Sequence, residues 1–154
     1  MRVRDVLRGF VYCCGADDPI DMAIRLMRDR KVACLPVVDE EHRPIGHLTE
    51  RELKHARAHW GGALLAMPVR RAMAVRPPIC FDTDPLRHAR SLMRTWDVDH
   101  VSVVDGSGSL VGLVSRRDTS WMHESGVIRT DAVETQEEEE ACSCPLCFRP
   151  VRVA

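Results

Sequence analysis

Hydrophobic residues in the first part of the chain follow a helical spacing and then a strand-like spacing. Over residues 20–27 the apolar side chains recur three and four positions apart, which predicts an amphipathic helix with one face on a sheet. Residues 32–38 are apolar and rich in valine, which is typical of a short buried strand. A turn at residues 43–44 and a second apolar stretch at residues 45–48 predict a hairpin, and another helix follows over residues 52–60.

The same order of elements returns 66 residues later. Four side chains repeat the helical spacing and are expected on the buried face of a helix: Leu86, Ala89, Met93 and Trp96. Residues 98–104 and 111–114 repeat the two strands of the hairpin, and a shorter helix is expected after Asp118. With the short apolar runs at residues 11–14 and 79–81, each copy predicts the order β-α-β-β-α.

The two copies align without a gap. Residues 3–53 match residues 69–119 at 15 of 51 positions, which predicts a tandem duplication. A unit of about 50 residues has too little core to cover its own sheet. We therefore expect a mixed α/β fold in which two copies share one core about a pseudo-twofold axis. The predicted boundaries are residues 1–60 for the first repeat, 61–66 for a linker, 67–125 for the second repeat and 126–154 for a C-terminal tail.

An Asp-Pro pair precedes the first helix of each copy, at Asp18-Pro19 and at Asp84-Pro85. Aspartate is a favoured helix N-cap, and proline is favoured at the first helical position. We therefore expect each aspartate to cap the helix that follows it.

The composition is that of a soluble globular protein, with 45% hydrophobic and 29% charged residues among 154. No apolar stretch reaches the length of a membrane span and the first residues lead into no signal-peptide core, so a cytoplasmic protein without a membrane partner is expected. Residues 1–130 carry 20 basic and 17 acidic side chains, a net charge of +3 that is too small to indicate nucleic-acid binding. The odd number of cysteines, 7, favours reduced thiols or metal ligands over a disulfide framework.

An ordered set of motifs, present twice, resembles the cystathionine-β-synthase (CBS) domain family, and the tandem arrangement resembles a CBS pair, or Bateman module. The motifs are VRRAM at residues 69–73, the two Asp-Pro pairs, CLPVVD at 34–39, VSVVD at 101–105, GHLTERE at 46–52 and GLVSRRD at 112–118. No single motif would suffice, and the specificity lies in their repeated order.

The resemblance implies a regulatory module without catalytic activity. In this family the cleft between the repeats binds an adenosine-containing ligand such as AMP, ADP, ATP or S-adenosylmethionine, and two modules commonly form a homodimer. A protein partner is implied but not identified. The family's Ser/Thr-x-x-Asp element supplies a hydroxyl to the phosphate and a carboxylate to the ribose hydroxyls, and five residues carry or adjoin it here: Ser115, Asp118, Arg116, Thr49 and Glu52.

These elements also have a purely structural interpretation. Ser/Thr-x-x-Asp/Glu is a helix capping box, in which the hydroxyl and the acidic side chain satisfy backbone N–H groups. Asp118 matches the family pattern, whereas Glu52 departs from it by one methylene. Arg116 either meets phosphate or lies in solvent.

The resemblance places further residues along the adenine cleft: Cys34, Leu35, Pro36, Cys80, His100 and Val101. Cys34 and His100 occupy equivalent positions in the two copies. Ordinary packing is the alternative for both, and also for Cys80, because a free cysteine often behaves as a small hydrophobe.

Three further cysteines crowd the acidic tail: Cys142, Cys144 and Cys147. The sequence CPLC at residues 144–147 resembles one knuckle of a zinc ribbon. A complete zinc site would need Cys142 as a third thiolate together with a distant histidine, or the tail of a second chain. Redox sensing by exposed thiols and a disordered tail with incidental cysteines are the alternatives.

The sequence favours a CBS pair that binds an adenosine-containing ligand and changes repeat packing or partner affinity without covalent chemistry. The alternative is a metal- or thiol-responsive regulatory protein in which the tail senses and the CBS pair is a dimerisation scaffold. An enzyme with a Cys/His nucleophile is a third hypothesis, which no motif supports.

Overall fold

The computed structural model describes residues 1–7, 10–120 and 151–152. The first elements are β1 (Phe10–Val11), β2 (Cys14–Gly15), α1 (Ile20–Asp29), β3 (Cys34–Val38), β4 (Pro44–Thr49) and α2 (Glu50–Trp60). They are followed by β5 (Ala74–Val75), β6 (Ile79–Phe81), α3 (Leu86–Trp96), β7 (His100–Val104), β8 (Leu110–Ser115) and β9 (Val151–Arg152). The predicted mixed α/β fold of two repeats is confirmed, but the expectation of one shared core is wrong, because each repeat has a core cluster of its own and only a small third cluster joins them. In the second repeat, a short 3₁₀ turn at Arg116–Thr119 follows β8 where the last helix is predicted.

The strands of each repeat form a small sheet with the same pairing. In the first repeat β3 lies between parallel β2 and antiparallel β4, and β5 pairs antiparallel with the far side of β4. In the second repeat β7 lies between parallel β6 and antiparallel β8. A two-stranded antiparallel pair of β1 and β9 is separate from both sheets. The described residues include no helix long and apolar enough to cross a membrane.

A helix packs on one face of each sheet. The first core joins α1 to the inner side chains of β3 and β4, with members Ile20, Ala23, Leu26, Leu35, Val37 and Leu48. The second core repeats this arrangement around α3, with members Leu86, Ala89, Met93, Val101, Val103 and Val114. Because burial of apolar area is the main stabilising contribution to folding, these two clusters hold each helix to its sheet.

The segment ahead of each repeat forms backbone hydrogen bonds with the other repeat. The N–H of Val3 donates to the carbonyl of Asp84 at 2.9 Å, and the N–H of Val69 donates to that of Asp18 at 2.8 Å, so the two contacts differ by 66 residues at both ends. Four more bonds extend them: Arg4 to Asp82, Leu86 to Met1, Arg70 to Ala16 and Ile20 to Met67. The side chain of Val3 is fully buried in the second core, and that of Val69 in the first.

Each repeat therefore depends on a segment of chain that precedes the other repeat. Residues 1–4 pair with the second repeat and residues 67–70 pair with the first, and we call these two stretches the exchanged segments. The boundaries of the two repeats, at residues 1–60 and 67–125, stay predictions from the sequence.

Two glycines at equivalent positions leave room for the chain that follows each exchanged segment. A Cβ atom on Gly46 would lie 2.7 Å from the carbonyl oxygen of Ala74 and 2.8 Å from Sδ of Met73. A Cβ atom on Gly112 would lie 2.5 Å from Cδ2 of Leu7. Both strands therefore need glycine for close approach, but the obstacle at Gly46 includes backbone, which yields less readily than the end of a leucine.

A smaller cluster connects the two repeats. Val11, Cys13 and Val38 of the first repeat pack with Leu110 of the second, and Leu113 lies against them. The N–H of Leu110 also donates to the carbonyl of His42 at 2.8 Å. The repeats thus touch through side chains as well as through the exchanged segments.

The prediction that each Asp-Pro aspartate caps the following helix is wrong. Pro19 and Pro85 stand at the N-cap positions, and the carboxylates turn the other way. Asp18 accepts from the N–H of Gly15 at 2.7 Å, and Asp84 accepts from that of Phe81 at 2.9 Å. Each aspartate therefore closes the turn between the preceding strand and the helix, as short polar side chains in turns commonly do.

The prediction that Trp96 belongs to the buried face of α3 is also wrong, because its side chain is 55% exposed. Trp96 is the last residue of the helix, and Asp97 follows in the left-handed conformation with φ of 51°. The helix therefore ends before its apolar stripe makes another turn over the sheet. Leu86, Ala89 and Met93 are buried as predicted.

We predict that Gly46→Ala lowers the free energy of unfolding by about 1–3 kcal/mol, as overpacking does, and that Gly112→Ala costs less because Leu7 can change rotamer. Gly62→Ala is the matched control, since a Cβ atom there meets nothing within 4 Å. Urea unfolding of the three variants measures the order. Equal loss for Gly46 and Gly112, or a loss for Gly62 as large as either, would contradict this account of the exchange.

Candidate functional site

The hairpin of the first repeat has an apolar face and a mixed polar face, because side chains alternate along a strand. The apolar face lies in the core. The opposite face carries four residues that the strand register brings together in two pairs, Cys34 with Thr49 and Pro36 with His47. Cys34 and Pro36 are buried, and His47 and Thr49 are half-buried.

The second repeat presents the equivalent face. Its register pairs His100 with Ser115 and Ser102 with Leu113. Ser102 is only 3% exposed, and the other three side chains are half-buried. Comparison of the two faces shows that the hydroxyls of Thr49 and Ser115 correspond, whereas the imidazoles do not: each repeat supplies one, from a different strand.

Thr49 and Glu52 form a capping box at the start of α2. Oε2 of Glu52 accepts from the N–H of Thr49 at 2.8 Å and also from the Thr49 hydroxyl. In the first repeat this element therefore serves as a helix capping box. The arrangement holds the carboxylate beside the polar face of the hairpin.

Ser115 and Asp118 form the same box in the second repeat. Oδ2 of Asp118 accepts from the N–H of Ser115 at 2.7 Å and from its hydroxyl at 2.8 Å. The shorter aspartate side chain makes both bonds, so the missing methylene does not open the box. Both carboxylates are fixed by the turn that follows the hairpin.

The imidazole of His47 stands beside the carboxylate of Glu52. Nε2 of His47 lies 3.8 Å from Oε1 of Glu52, and both side chains are only 15% exposed. Burial lowers the pKa of His47, and the charge of Glu52 partly opposes this. Neutral imidazole is therefore the favoured state of His47 near neutral pH.

His100 connects the two repeats electrostatically. Burial lowers its pKa, the carboxylates of Asp99 and Asp118 oppose the shift, and His47 of the other repeat adds to it. The two hairpins are in contact at Val38 and Leu110, and the charge of His47 influences His100 of the other repeat.

The guanidinium of Arg116 is bound by neighbouring residues of the second repeat. Its Nε lies 2.8 Å from Oδ1 of Asp99, and a terminal guanidinium nitrogen donates to the carbonyl of Val98 at 3.2 Å. Both charged side chains are largely exposed, so this ion pair contributes little stability. It offsets the charge of Asp99.

The remaining expected ligand residues lie deeper. Leu35 and Val101 point into the two cores with no exposed surface, so a ligand would have to meet their backbone. Cys80 is 1% exposed in the second core, beside Val3 and Leu86. Cys34 is 3% exposed on the polar face of the first hairpin, next to Thr49.

The buried thiols are protonated near neutral pH. Burial, assisted by Glu52, raises the pKa of Cys34 to about 12, and burial with Asp84 raises that of Cys80 to about 12. Burial with Asp18 raises the pKa of Cys13 to about 11. Because the thiolate is the nucleophilic form, these values argue against the hypothesis of a Cys/His enzyme at these positions.

Sequence reasoning missed His47. The signal was present in the alternation of β4, where His47 is two residues before Thr49 and therefore on the same face. The alignment of the two repeats gives a second signal: the second repeat has Leu113 at the equivalent position, so a histidine occurs there in the first repeat only.

No group of three metal-ligating side chains suited to a metal ion is found among the residues described. The predicted tail ligands Cys142, Cys144 and Cys147 lie outside the described residues. The zinc and redox hypotheses therefore stay predictions.

The fold and the two boxes define a tandem pair of α/β repeats, each with a polar face on its hairpin. The chain belongs to the CBS domain family, whose model matches residues 3–59 and 69–119. The resemblance drawn from the repeated motifs is confirmed.

Solved CBS structures share this fold. The CBS domain protein PAE2072 of Pyrobaculum aerophilum complexed with AMP is 26% identical with a TM-score of 0.72, covering 79% of this chain and 92% of that one. The CBS domain pair of protein MJ0100, in complex with 5′-methylthioadenosine and S-adenosyl-L-methionine, is 22% identical with a TM-score of 0.70, covering 78% and 97%. At the lower identity the likeness establishes the fold alone.

Curated relatives fall into two groups by length. A CBS domain-containing protein of Dictyostelium discoideum is 26% identical over an alignment of 125 residues. The alignment covers 75% of this chain and 86% of that protein. The inosine-5′-monophosphate dehydrogenase of Thermoplasma acidophilum is 29% identical over 108 residues, 70% of this chain. The match spans only 21% of that enzyme.

The lowered pKa values of His47 and His100 predict a loss of stability in acid. A histidine that is less basic when folded binds protons more readily in the unfolded chain, so its contribution is fully present above the unfolded pKa of about 6.5 and is lost as pH falls towards the folded pKa. We expect the Tm to fall between pH 7.5 and 5.5. The fall should be smaller in the double variant His47→Leu, His100→Cys, in which each position takes the residue of the other repeat.

His55→Gln is the control for this measurement, because His55 is an exposed histidine of α2. Its Tm should fall with pH as in the parent protein. If the double variant loses as much Tm as the parent, the two cleft histidines do not carry the acid sensitivity.

Proposed function

We propose that this chain is a regulatory CBS pair that binds an adenosine-containing ligand, AMP, ADP, ATP or S-adenosylmethionine, in the cleft between its repeats. The observation that carries the proposal is that each repeat holds a Ser/Thr-x-x-acid box at the polar face of its hairpin, and that the two hairpins are in contact through Val38 and Leu110. AMP in the complex of the Pyrobaculum protein and S-adenosyl-L-methionine in that of MJ0100 support the ligand class.

The second box is the stronger candidate for the ribose. Asp118 matches the aspartate of the family's Ser/Thr-x-x-Asp element, whereas Glu52 is one methylene longer. The Ser115 hydroxyl, at the beginning of the turn, would meet the phosphate.

The first box is the weaker candidate. Glu52 is engaged by the N–H and hydroxyl of Thr49, and its second oxygen faces His47 at 3.8 Å. A ligand in this half of the cleft would compete with the imidazole for the carboxylate. We therefore expect the second box to fill first.

The adenine base would lie along the buried starts of the central strands. In the first repeat these positions are Cys34, Leu35 and Pro36, and in the second they are His100 and Val101. Cys80, which lies opposite Val103 on the neighbouring strand, would contribute apolar surface behind them. An aromatic base suits such a site because it needs flat apolar contact and few hydrogen bonds.

The proposed consequence of binding is regulatory. A ligand that contacts both repeats favours the arrangement in which the hairpins are close, and it shifts the equilibrium by its differential affinity for that arrangement. We propose a homodimer in the cytoplasm that transmits this shift to a protein partner. Since the match covers only a fifth of the dehydrogenases, their catalytic activity is not carried over.

Thermal denaturation with added ligand tests this function. AMP, ATP or S-adenosylmethionine at about 100 times its Kd should stabilise the folded state by about 2.7 kcal/mol and raise the Tm by several degrees. Asp118→Ala should abolish the ligand-induced rise, and Asp118→Glu, which copies the first box, should reduce it while keeping the cap. Asp29→Ala, at the exposed end of α1, is the matched control and should respond like the parent.

The comparison uses the ligand-induced change in Tm. Loss of the cap alone is expected to lower the free energy of unfolding of the Asp118→Ala variant by about 1 kcal/mol, so its Tm is lower even without ligand. A rise that survives in Asp118→Ala would place the ligand elsewhere. No rise with any adenosine-containing ligand would overturn the proposed function.

A further inference from the structure

The chain passes from one repeat to the other twice, at equivalent positions. Residues 10–12, the first crossover, lead from the exchanged segment held by the second repeat to β2 of the first repeat. Residues 76–78, the second crossover, lead from β5 of the first repeat to β6 of the second. The two crossovers are equivalent in the duplication, but their sequences, FVY and RPP, share no residue.

Local backbone preferences fix the second crossover. Arg76 has a left-handed backbone with φ of 55°, and Pro77 and Pro78 follow it. Proline has a fixed φ and no N–H group, so it cannot donate a hydrogen bond to a neighbouring strand. Among the described residues, no strand pairs with Arg76 or Pro77. The two prolines therefore make the second crossover a poor acceptor for a strand.

A distant strand fixes the first crossover instead. Phe10 and Val11 of β1 pair antiparallel with β9, with Phe10 opposite Arg152 and Val11 opposite Val151. Each residue of this crossover carries a backbone N–H group, whereas the equivalent positions of Val11 and Tyr12 in the second repeat are prolines. The first crossover can therefore accept a strand where the second cannot.

The β1–β9 pair lies at the junction between the repeats. Both strands contact β8 of the second repeat. The side chain of Val11 is only 6% exposed, and it packs with Val38 of the first repeat and Leu110 of the second. The N–H of Leu110 donates to the carbonyl of His42 across the same junction at 2.8 Å. β9 therefore holds the backbone of a residue whose side chain joins the two repeats.

The β1–β9 pairing is weak compared with the two cores. Only two residues of each strand take part, whereas a helix buries an apolar face in each core. A two-stranded pair is marginally stable by itself. Parts of a protein that bury few apolar contacts open before the rest unfolds. Release of β9 is therefore expected to leave both cores folded.

We propose that β9 is a releasable strap that pairs with the first crossover and holds the junction between the repeats closed. While β9 is paired, Val11 stays against Leu110 and the repeats keep their orientation. When β9 is released, the junction opens locally and the repeats are free to change their orientation. The strap is specific to the first crossover because the prolines close the second one to a strand. The inference does not depend on a ligand between the repeats.

Hydrogen exchange of the full chain, followed by NMR, tests the proposal. The double variant Val151→Pro, Arg152→Pro copies the proline pair of the second crossover and removes both N–H groups of β9. We expect the amide of Leu110, and the amide of β1 that donates to β9, to exchange faster than in the parent protein. The expected increase is about three- to tenfold, as the loss of one ordinary hydrogen bond would produce.

The variant Val151→Ile, Arg152→Lys is the matched control, because it keeps both N–H groups and the positive charge. It should exchange like the parent protein. In the proline variant the mid-helix amides of Leu26 in α1 and Met93 in α3 should also keep the rates of the parent. An unchanged rate at Leu110, or an acceleration at Leu26 and Met93 equal to that at Leu110, would overturn the inference.

Discussion

The backbone hydrogen bonds that each repeat makes to the segment preceding the other repeat hold this molecule together. They are made at 2.8–3.1 Å by residues related by the 66-residue shift, and they bring one valine of each segment, Val3 and Val69, fully into the opposite core. Because a unit of this size cannot bury its sheet alone, the exchange supplies missing core as well as missing hydrogen bonds. It also fixes the orientation of the repeats, and therefore the placement of the two polar hairpin faces. Gly46 and Gly112 record this constraint in the sequence, since each strand needs the space that a side chain would fill.

Within this symmetric frame the chemistry of the cleft is asymmetric. The capping boxes are equivalent in their bonds, and they hold a carboxylate in each repeat at the same place. The imidazoles come from non-equivalent strands, so Glu52 and Asp118 have different surroundings. A duplicated module can in this way keep one fold and still distinguish its two proposed ligand positions. The same box residues serve the backbone and would serve the ligand, which links binding to the stability of the turns.

Much of the fold could be predicted from the sequence because the duplication presents the residue pattern of each element twice. The hairpin strands, the α1 stripe and the buried Leu86, Ala89 and Met93 follow from periodicity. Periodicity alone could not place Trp96, because the left-handed Asp97 ends the helix there. Local preference also misassigned Asp18 and Asp84, whose carboxylates bind the N–H of a preceding strand rather than the helix. The capping boxes were visible as a motif, whereas the role of His47 depends on which hairpin faces meet, and that is a property of the assembled repeats.

The central claim is that a ligand binds between the hairpins in contact with both repeats. NMR of the histidine imidazoles during titration with AMP tests it most directly, since His47 and His100 lie on the polar faces of the two hairpins while His55, His59 and His88 are exposed. The account predicts that the ring signals of both His47 and His100 shift together with AMP concentration, and that those of the exposed histidines do not. Shifts confined to the exposed histidines, or to only one of the two repeats, would contradict it.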